Sequence, residues 1–219
     1  MADRTLDSDR QIALSSLPSR LQPAFVALWG VDLAMADVVA SSTDLALGAI
    51  RLAWWREALQ RLDQSAPPAE PHLQAAADQL IPRGVTGAEL AKLEDCWMAL
   101  LEPFPWTILT AELVRVRGRI LFGLGTKLLG GRTDAVEDAG AIWSLVDVAR
   151  HCSDPASRAL LFEEARKSIV ELGSRKPPRI LRPMTALAAA AAHDALGGSS
   201  AGRGFVALIH TLTGRIPRG

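Results

Sequence analysis

Near the middle of the chain, Asp147, Arg150 and Asp154 recur at three- and four-residue steps. On a helix those steps place side chains on one face. Two carboxylates so placed could share a hard cation. With the arginine between them they could equally form a surface ion ladder, each pair contributing only about 0.3–0.5 kcal/mol. The ladder is the favoured reading, because a guanidinium between two carboxylates neutralises them. Asp37 offers a further carboxylate, but Asp32 is five residues away, about 140° around a helix, so the two diverge. With Ala36 and Ala40 beside it, Asp37 reads as a solvated or capping carboxylate, with residual ion contact as the alternative. His151, Cys152 and Asp154, with His193 and Asp194 further on, suggest zinc and then fail the test. Adjacent His and Cys cannot chelate from one helix face, and no CxxC pair is present. Cys96 and Cys152 are expected as small core residues.

Trp54 and Trp55 are neighbours, so on a helix they point about 100° apart. One is expected in the core and the other against a cavity or groove. Arg51 and Arg56 share their segment. Further on, Arg175, Lys176, Arg179 and Arg182 form a basic run, and Arg215 and Arg218 a basic tail. Such runs are usually solvated surface, though they can also face acidic lipid headgroups or an acidic partner.

The elements that must position these residues are helical. Alanine and leucine dominate, tyrosine is absent, and no segment alternates with period two. Pro23 suits the first turn of a helix reaching Val39. The stretch Ser41–Asp44 supplies a cap for a helix over Leu45–Leu62. In that helix Leu47, Ile50, Trp54 and Ala58 have the spacing of one buried face. Prolines break the chain at Gln64–Pro71. Further helices are expected at His72–Ile81, Gly87–Leu101, Thr107–Leu129 (ending at Gly130–Gly131), Ser157–Leu172, Arg182–Leu196 and Gly204–Leu212. Asp134, with Glu137 in the capping-box position, is expected to start a helix running to about Cys152. The result is an all-α bundle of roughly eight helices, read as a single domain over residues 1–219.

Composition sets limits. At 219 residues, with 49% hydrophobic and 22% charged residues, the chain can bury a sizeable core. Twenty-four basic residues balance twenty-four acidic ones, so no net field points to nucleic acid. Two cysteines are too few for a disulfide framework, and the charged N-terminus lacks an export signal. The longest apolar runs, such as Met184–Ala192, are shorter than a spanning helix requires. A cytoplasmic protein is expected, with peripheral membrane contact open.

The segments "AFVALWGVDLAMADVV" (Ala24–Val39) and "AIRLAWWREAL" (Ala49–Leu59) resemble the opening of squalene/phytoene synthases. That family pairs an "AFxALYAFxR" helix running into a DDxxD-type cluster with an "IRLxWWRxxL" helix. Ile50, Arg51, Leu52, Trp54, Trp55, Arg56, Ala58 and Leu59 match the second motif. In the first, Ala36, Val38 and Ala40 stand around Asp37 where more aspartates are expected. The family's second cluster, "LGxAxQLxNxLRDxxxD", corresponds to Gly140 and the residues after it. Asp147 falls on its asparagine and Arg150 on its arginine, His151 replaces the first aspartate, and Pro155 the last. The "R-x-YLP" element is represented only by Arg158–Phe162, without tyrosine or proline.

The resemblance implies an isoprenoid synthase fold in which the helices Pro23–Val39 and Gly140–Cys152 face each other across a cavity. In the family, carboxylates there hold magnesium, which holds a prenyl diphosphate. A kept "IRLxWWRxxL" helix with lost aspartates is most similar to the branch related to a mitochondrial complex I assembly factor. The function this implies is a catalytically silent, lipid-binding or assembly scaffold without a cofactor, its partner a prenyl lipid or another protein. The alternative is a magnesium-dependent head-to-head prenyltransferase of isoprenoid biosynthesis that manages with Asp37, Asp147 and Asp154. Arg51, Trp54, Trp55 and Arg150 complete the candidate substrate-binding set.

Overall fold

Asp7 begins the described architecture, its side chain accepting from the Arg10 backbone N–H at 2.9 Å to cap α1 (Ser8–Ser15). This helix is not among those expected from sequence, because so short a segment carries no apolar stripe. The computed structural model describes residues 6–131 and 134–218, and all regular structure among them is helical. The all-α expectation holds. The chain packs as two compact units, one of residues 19–103 and the other of residues 1–18 with 104–219.

The unit of residues 19–103 holds α2 (Gln22–Ser41), α3 (Leu45–Arg61), α4 (Pro71–Gln79), α5 (Gly87–Ala91) and α6 (Leu93–Met98). Pro23 lies in the first turn of α2. Asp44 caps α3 by accepting from the backbone N–H groups of Ala46 and Leu47 at 2.8 and 3.2 Å. The expected helix over 87–101 is interrupted at Lys92 and closes with a 3₁₀ turn at Ala99–Leu101. Thr86 and Glu89 form a capping box at the start of α5, and Asp63 accepts from the Gly87 backbone N–H at 2.7 Å. The core of this unit contains Phe25, Leu28, Trp29, Met35, Leu52, Leu59, Leu73 and Leu90. Segment Ser19–Ser41 reaches a mean hydropathy of 1.6, long and apolar enough by length and composition to cross a membrane. That corrects the expectation that every apolar stretch falls short: averaging over the helix dilutes Asp32 and Asp37. More than half of it is buried within the protein, as in the core helix of a globular unit.

The other unit holds α1 together with α7 (Ile108–Leu128), α8 (Asp134–His151), α9 (Pro155–Leu172), α10 (Arg182–Ala195) and α11 (Arg203–Thr213). The chain turns after α7 at Gly130, whose φ of +72° suits glycine. The side chain of Asp134 lies outside the described residues, and with it the expected cap of α8. Helices α7 and α8 meet backbone to backbone: a Cβ on Gly118 would stand 2.0 Å from the Gly140 carbonyl oxygen. The alanines of α10 (Ala186 and Ala188–Ala192) are all buried, and α1, α8 and α11 pack against this helix. The small side chains allow that crowding.

Candidate functional site

The charged centre of the second unit is built on α8. Asp147 is buried. Arg117 of α7 donates from Nη2 to its Oδ2 at 2.9 Å and from Nη1 to the Ser144 hydroxyl at 3.1 Å. Arg10 of α1 brings Nη2 to 3.5 Å from the same carboxylate oxygen. Both guanidiniums lie over the Trp143 ring, at 4.9 Å for Arg10 and 5.0 Å for Arg117. Burial alone would raise the Asp147 pKa, but the Arg10 and Arg117 charges and the Arg117 hydrogen bond outweigh it and bring it down to about 2. Asp147 is therefore an anion locked between two cations over an aromatic plate.

The expected Asp147–Arg150–Asp154 ladder does not form. Arg150 turns instead to Asp194 of α10, with Nε donating to Oδ2 at 2.7 Å, and to Asp9 of α1, with Nη1 donating at 2.9 Å. Arg203 of α11 completes this second network, its Nε donating to the other Asp194 oxygen at 3.0 Å. Asp154 lies beyond the end of α8. It caps α9, accepting from both the backbone N–H and the hydroxyl of Ser157 at 2.7 Å. Those bonds hold its carboxyl below the usual range. Pro155 at the start of α9 explains the break, since the helix preceding a proline tends to stop. Cys96 and Cys152 are free and buried, as small core residues should be.

In the unit of residues 19–103, Asp37 is half-buried on α2. Arg51 of α3 is exposed and donates from Nη1 to the Ser41 hydroxyl at 3.1 Å. Of the two tryptophans, Trp55 is in the core at 7% exposure and Trp54 is 46% exposed. Their rings meet edge-on, with centroids 5.5 Å apart. The expected inward stripe of α3 is therefore mostly outward: Leu47 and Ile50 are 60% and 65% exposed, and only Ala58 of that set is buried. Gly48, Leu52, Trp55 and Leu59 take the inner face instead, an equally regular spacing that the sequence could not rank above the other.

Several polar residues central to these networks are not among the candidates that motifs and spacing single out. Arg117 shares a helix face with Val114 and Leu121, and an arginine in such an apolar stripe marks a buried charge that needs a partner. Arg10 and Asp9 fall in α1, which has no stripe to reveal it. Fully buried Asp32 accepts from the Trp97 indole N–H at 3.0 Å. Glu94 is buried 3.5 Å from Arg56; burial raises its pKa, and the Arg56 charge only partly counters that. Arg56, conspicuous in its motif, thus faces a carboxylate of its own unit.

These donors do not suit magnesium. The cation needs several fixed carboxylate oxygens besides phosphate. Asp147 is held by two guanidiniums and Asp154 by a helix end. Among the described residues no group of three or more His, Cys, Asp or Glu side chains could hold a metal ion. Asp147 and Asp154 both serve the packing of their own unit.

Residues 4–93 match the squalene/phytoene synthase family model. The match contains both opening motifs, Ala24–Val39 and Ala49–Leu59, and ends before Gly140. Helix α8 lies outside the matched residues. No curated protein matches the chain, and no solved structure does.

Proposed function

We propose that this protein is a degenerate squalene/phytoene synthase family member that has given up metal-dependent prenyl transfer and works as a lipid-binding or assembly scaffold, akin to the complex I assembly factor branch. The observation that carries this reading is the state of Asp147. On α8, whose sequence resembles the family's second cluster, this carboxylate forms an ion pair with Arg117 at 2.9 Å and lies near Arg10 at 3.5 Å. Recruiting it to a cation would compete with the Arg117 guanidinium that it already neutralises in the interior, and separating a buried ion pair is costly. The outward stripe of Leu47, Ile50 and Trp54 on α3 supports the scaffold half. It sets three large apolar side chains at the surface where a partner could cover them.

The test is incubation of the full chain with farnesyl or geranylgeranyl diphosphate and magnesium, followed by lipid extraction and pyrophosphate measurement. No coupled product and no pyrophosphate above a protein-free control is the expected result. Pyrophosphate release abolished by Asp37→Asn would overturn the silent reading and establish the prenyltransferase instead.

A further inference from the structure

Helix α11 is amphipathic in the inverted sense. Phe205, Leu208, Ile209 and Leu212 recur at three- and four-residue steps, so they form one face, and that face is exposed: Phe205 is at 67% and Leu212 at 66%. The opposite face, which packs on α10, is made of Ala207 and His210, with His210 hydrogen-bonded to the Thr185 hydroxyl at 2.7 Å. A helix that only completed a globular core would turn its large apolar residues inward. Beside this face Phe205, Val206 and Ile209 join Arg215, Ile216 and Pro217 around a cleft of about 300 Å³.

Charge in the chain flanking the helix is as one-sided as its hydrophobicity. Residues 173–219 contain Arg175, Lys176, Arg179, Arg182, Arg203, Arg215 and Arg218 against a single carboxylate, Asp194, in a chain that is neutral overall. Three of these cations are engaged: Arg175 with Asp138 at 2.9 Å, Arg203 with Asp194, and Arg182 with the Leu212 carbonyl at 2.7 Å. The Arg182 bond ties the basic run to the C-terminal end of α11. Lys176, Arg179, Arg215 and Arg218 are exposed, and no ion pair among the described residues includes them. Ile180, also exposed, stands within the basic run.

We propose that α11 docks the protein on an anionic lipid surface, its Phe205–Leu212 face entering the acyl boundary while Lys176, Arg179, Arg215 and Arg218 meet the headgroup phosphates. The occupant follows from the pairing of features. An apolar helix face accounts for contact with hydrocarbon, and Arg215 beside it, with the exposed cations of the flanking chain, accounts for preference for negative headgroups. A bilayer supplies diffuse negative charge to flexible side chains, whose stems extend to the interface. This docking is independent of whether the protein transfers prenyl groups.

The experiment is flotation of the full chain with phosphatidylcholine vesicles, with and without phosphatidylglycerol, in the absence of magnesium and prenyl diphosphates. Binding to the anionic vesicles should exceed binding to the neutral ones by at least about tenfold and weaken with added salt. The double variant Leu208→Asp/Leu212→Asp, whose positions are exposed, should keep its circular dichroism and lose the binding. Arg215→Glu/Arg218→Glu should retain the fold and lose about tenfold or more on anionic vesicles alone. Equal binding to both vesicle types, or none to either, would overturn the proposal. So would sedimentation of the wild-type chain as a dimer that Leu208→Asp/Leu212→Asp converts to monomer, because the face would then belong to a second copy.

Discussion

Asp147 shows how much a carboxylate's role depends on partners that are distant in sequence. Arg117 lies 30 residues away, and Arg10 comes from the other end of the chain. Local spacing instead suggested Arg150, whose own partner Asp9 is 141 residues off. The charges were legible and the pairings were not, because three- and four-residue steps reveal only neighbours on one helix. With Asp147 buried against two guanidiniums, Asp147→Ala should cost about 3–5 kcal/mol in urea denaturation, well beyond the cost of breaking a surface ladder. Acid should act on the same group. Its folded pKa of about 2 lies below the ordinary 3.8, so the stabilisation is complete above about pH 4 and is lost as pH falls towards 2. Urea midpoints between pH 5 and 2 should fall more steeply for wild type than for Asp147→Asn; parallel curves would show that the ion pair contributes nothing. The tryptophans separate in the same way. Trp55→Ala should cost about 3–5 kcal/mol as a core truncation. Trp54→Ala should cost about 1 kcal/mol, since mainly its edge-on contact with Trp55 is lost.

At the level of elements, most helices of the fold were readable and the inward face of α3 was not. Pro23, Asp44 and Gly130 mark helix ends by local chemistry, which a sequence displays directly. In α3, the stripe Leu47–Ile50–Trp54 and the set Leu52–Trp55–Leu59 are both regular, and only the packing of other helices decides between them. Likewise Gly140, which a motif comparison assigns to the mouth of a cluster, has a packing role beside Gly118. A Cβ at Gly118 would stand 2.0 Å from one backbone oxygen of α8, whereas a Cβ at Gly123 meets only the Glu137 side chain, at 3.3 Å. Gly118→Ala should therefore destabilise by about 1–3 kcal/mol or more, since backbone cannot yield as a side chain can. Gly123→Ala should be neutral or stabilising by up to about 1 kcal/mol, the helix-propensity gain. Thermal melts of the two variants check this, and equal losses would show that the α7–α8 approach is not a close fit.

For the molecule as a whole, the chain packs as two compact units, one of them the continuous stretch 19–103. Hydrophobic periodicity reports that a residue is buried, not in which core, so this division had no signature in the pattern. The family match spans residues 4–93 and so covers most of that stretch, which is also where the motifs are most intact. Residues 19–103 have a core of their own, with Phe25, Leu28, Leu52, Leu59, Leu73, Leu90 and Leu93 all fully buried. Their buried polar groups are also met from inside the stretch: Asp32 by Trp97, Glu94 by Arg56, and the start of α5 by Asp63. A unit whose interior and polar contacts are local to one continuous segment should fold without the remainder of the chain, though a domain this small buries a modest share of its surface and is marginal in stability. The fragment 19–103 should therefore give a helical circular dichroism spectrum and one cooperative thermal transition. Leu59→Ala within it should abolish that transition, because losing about 2–5 kcal/mol would exceed what so small a core can spare. A fragment that melts gradually, with no sigmoidal transition, would mean that this core is not sufficient by itself.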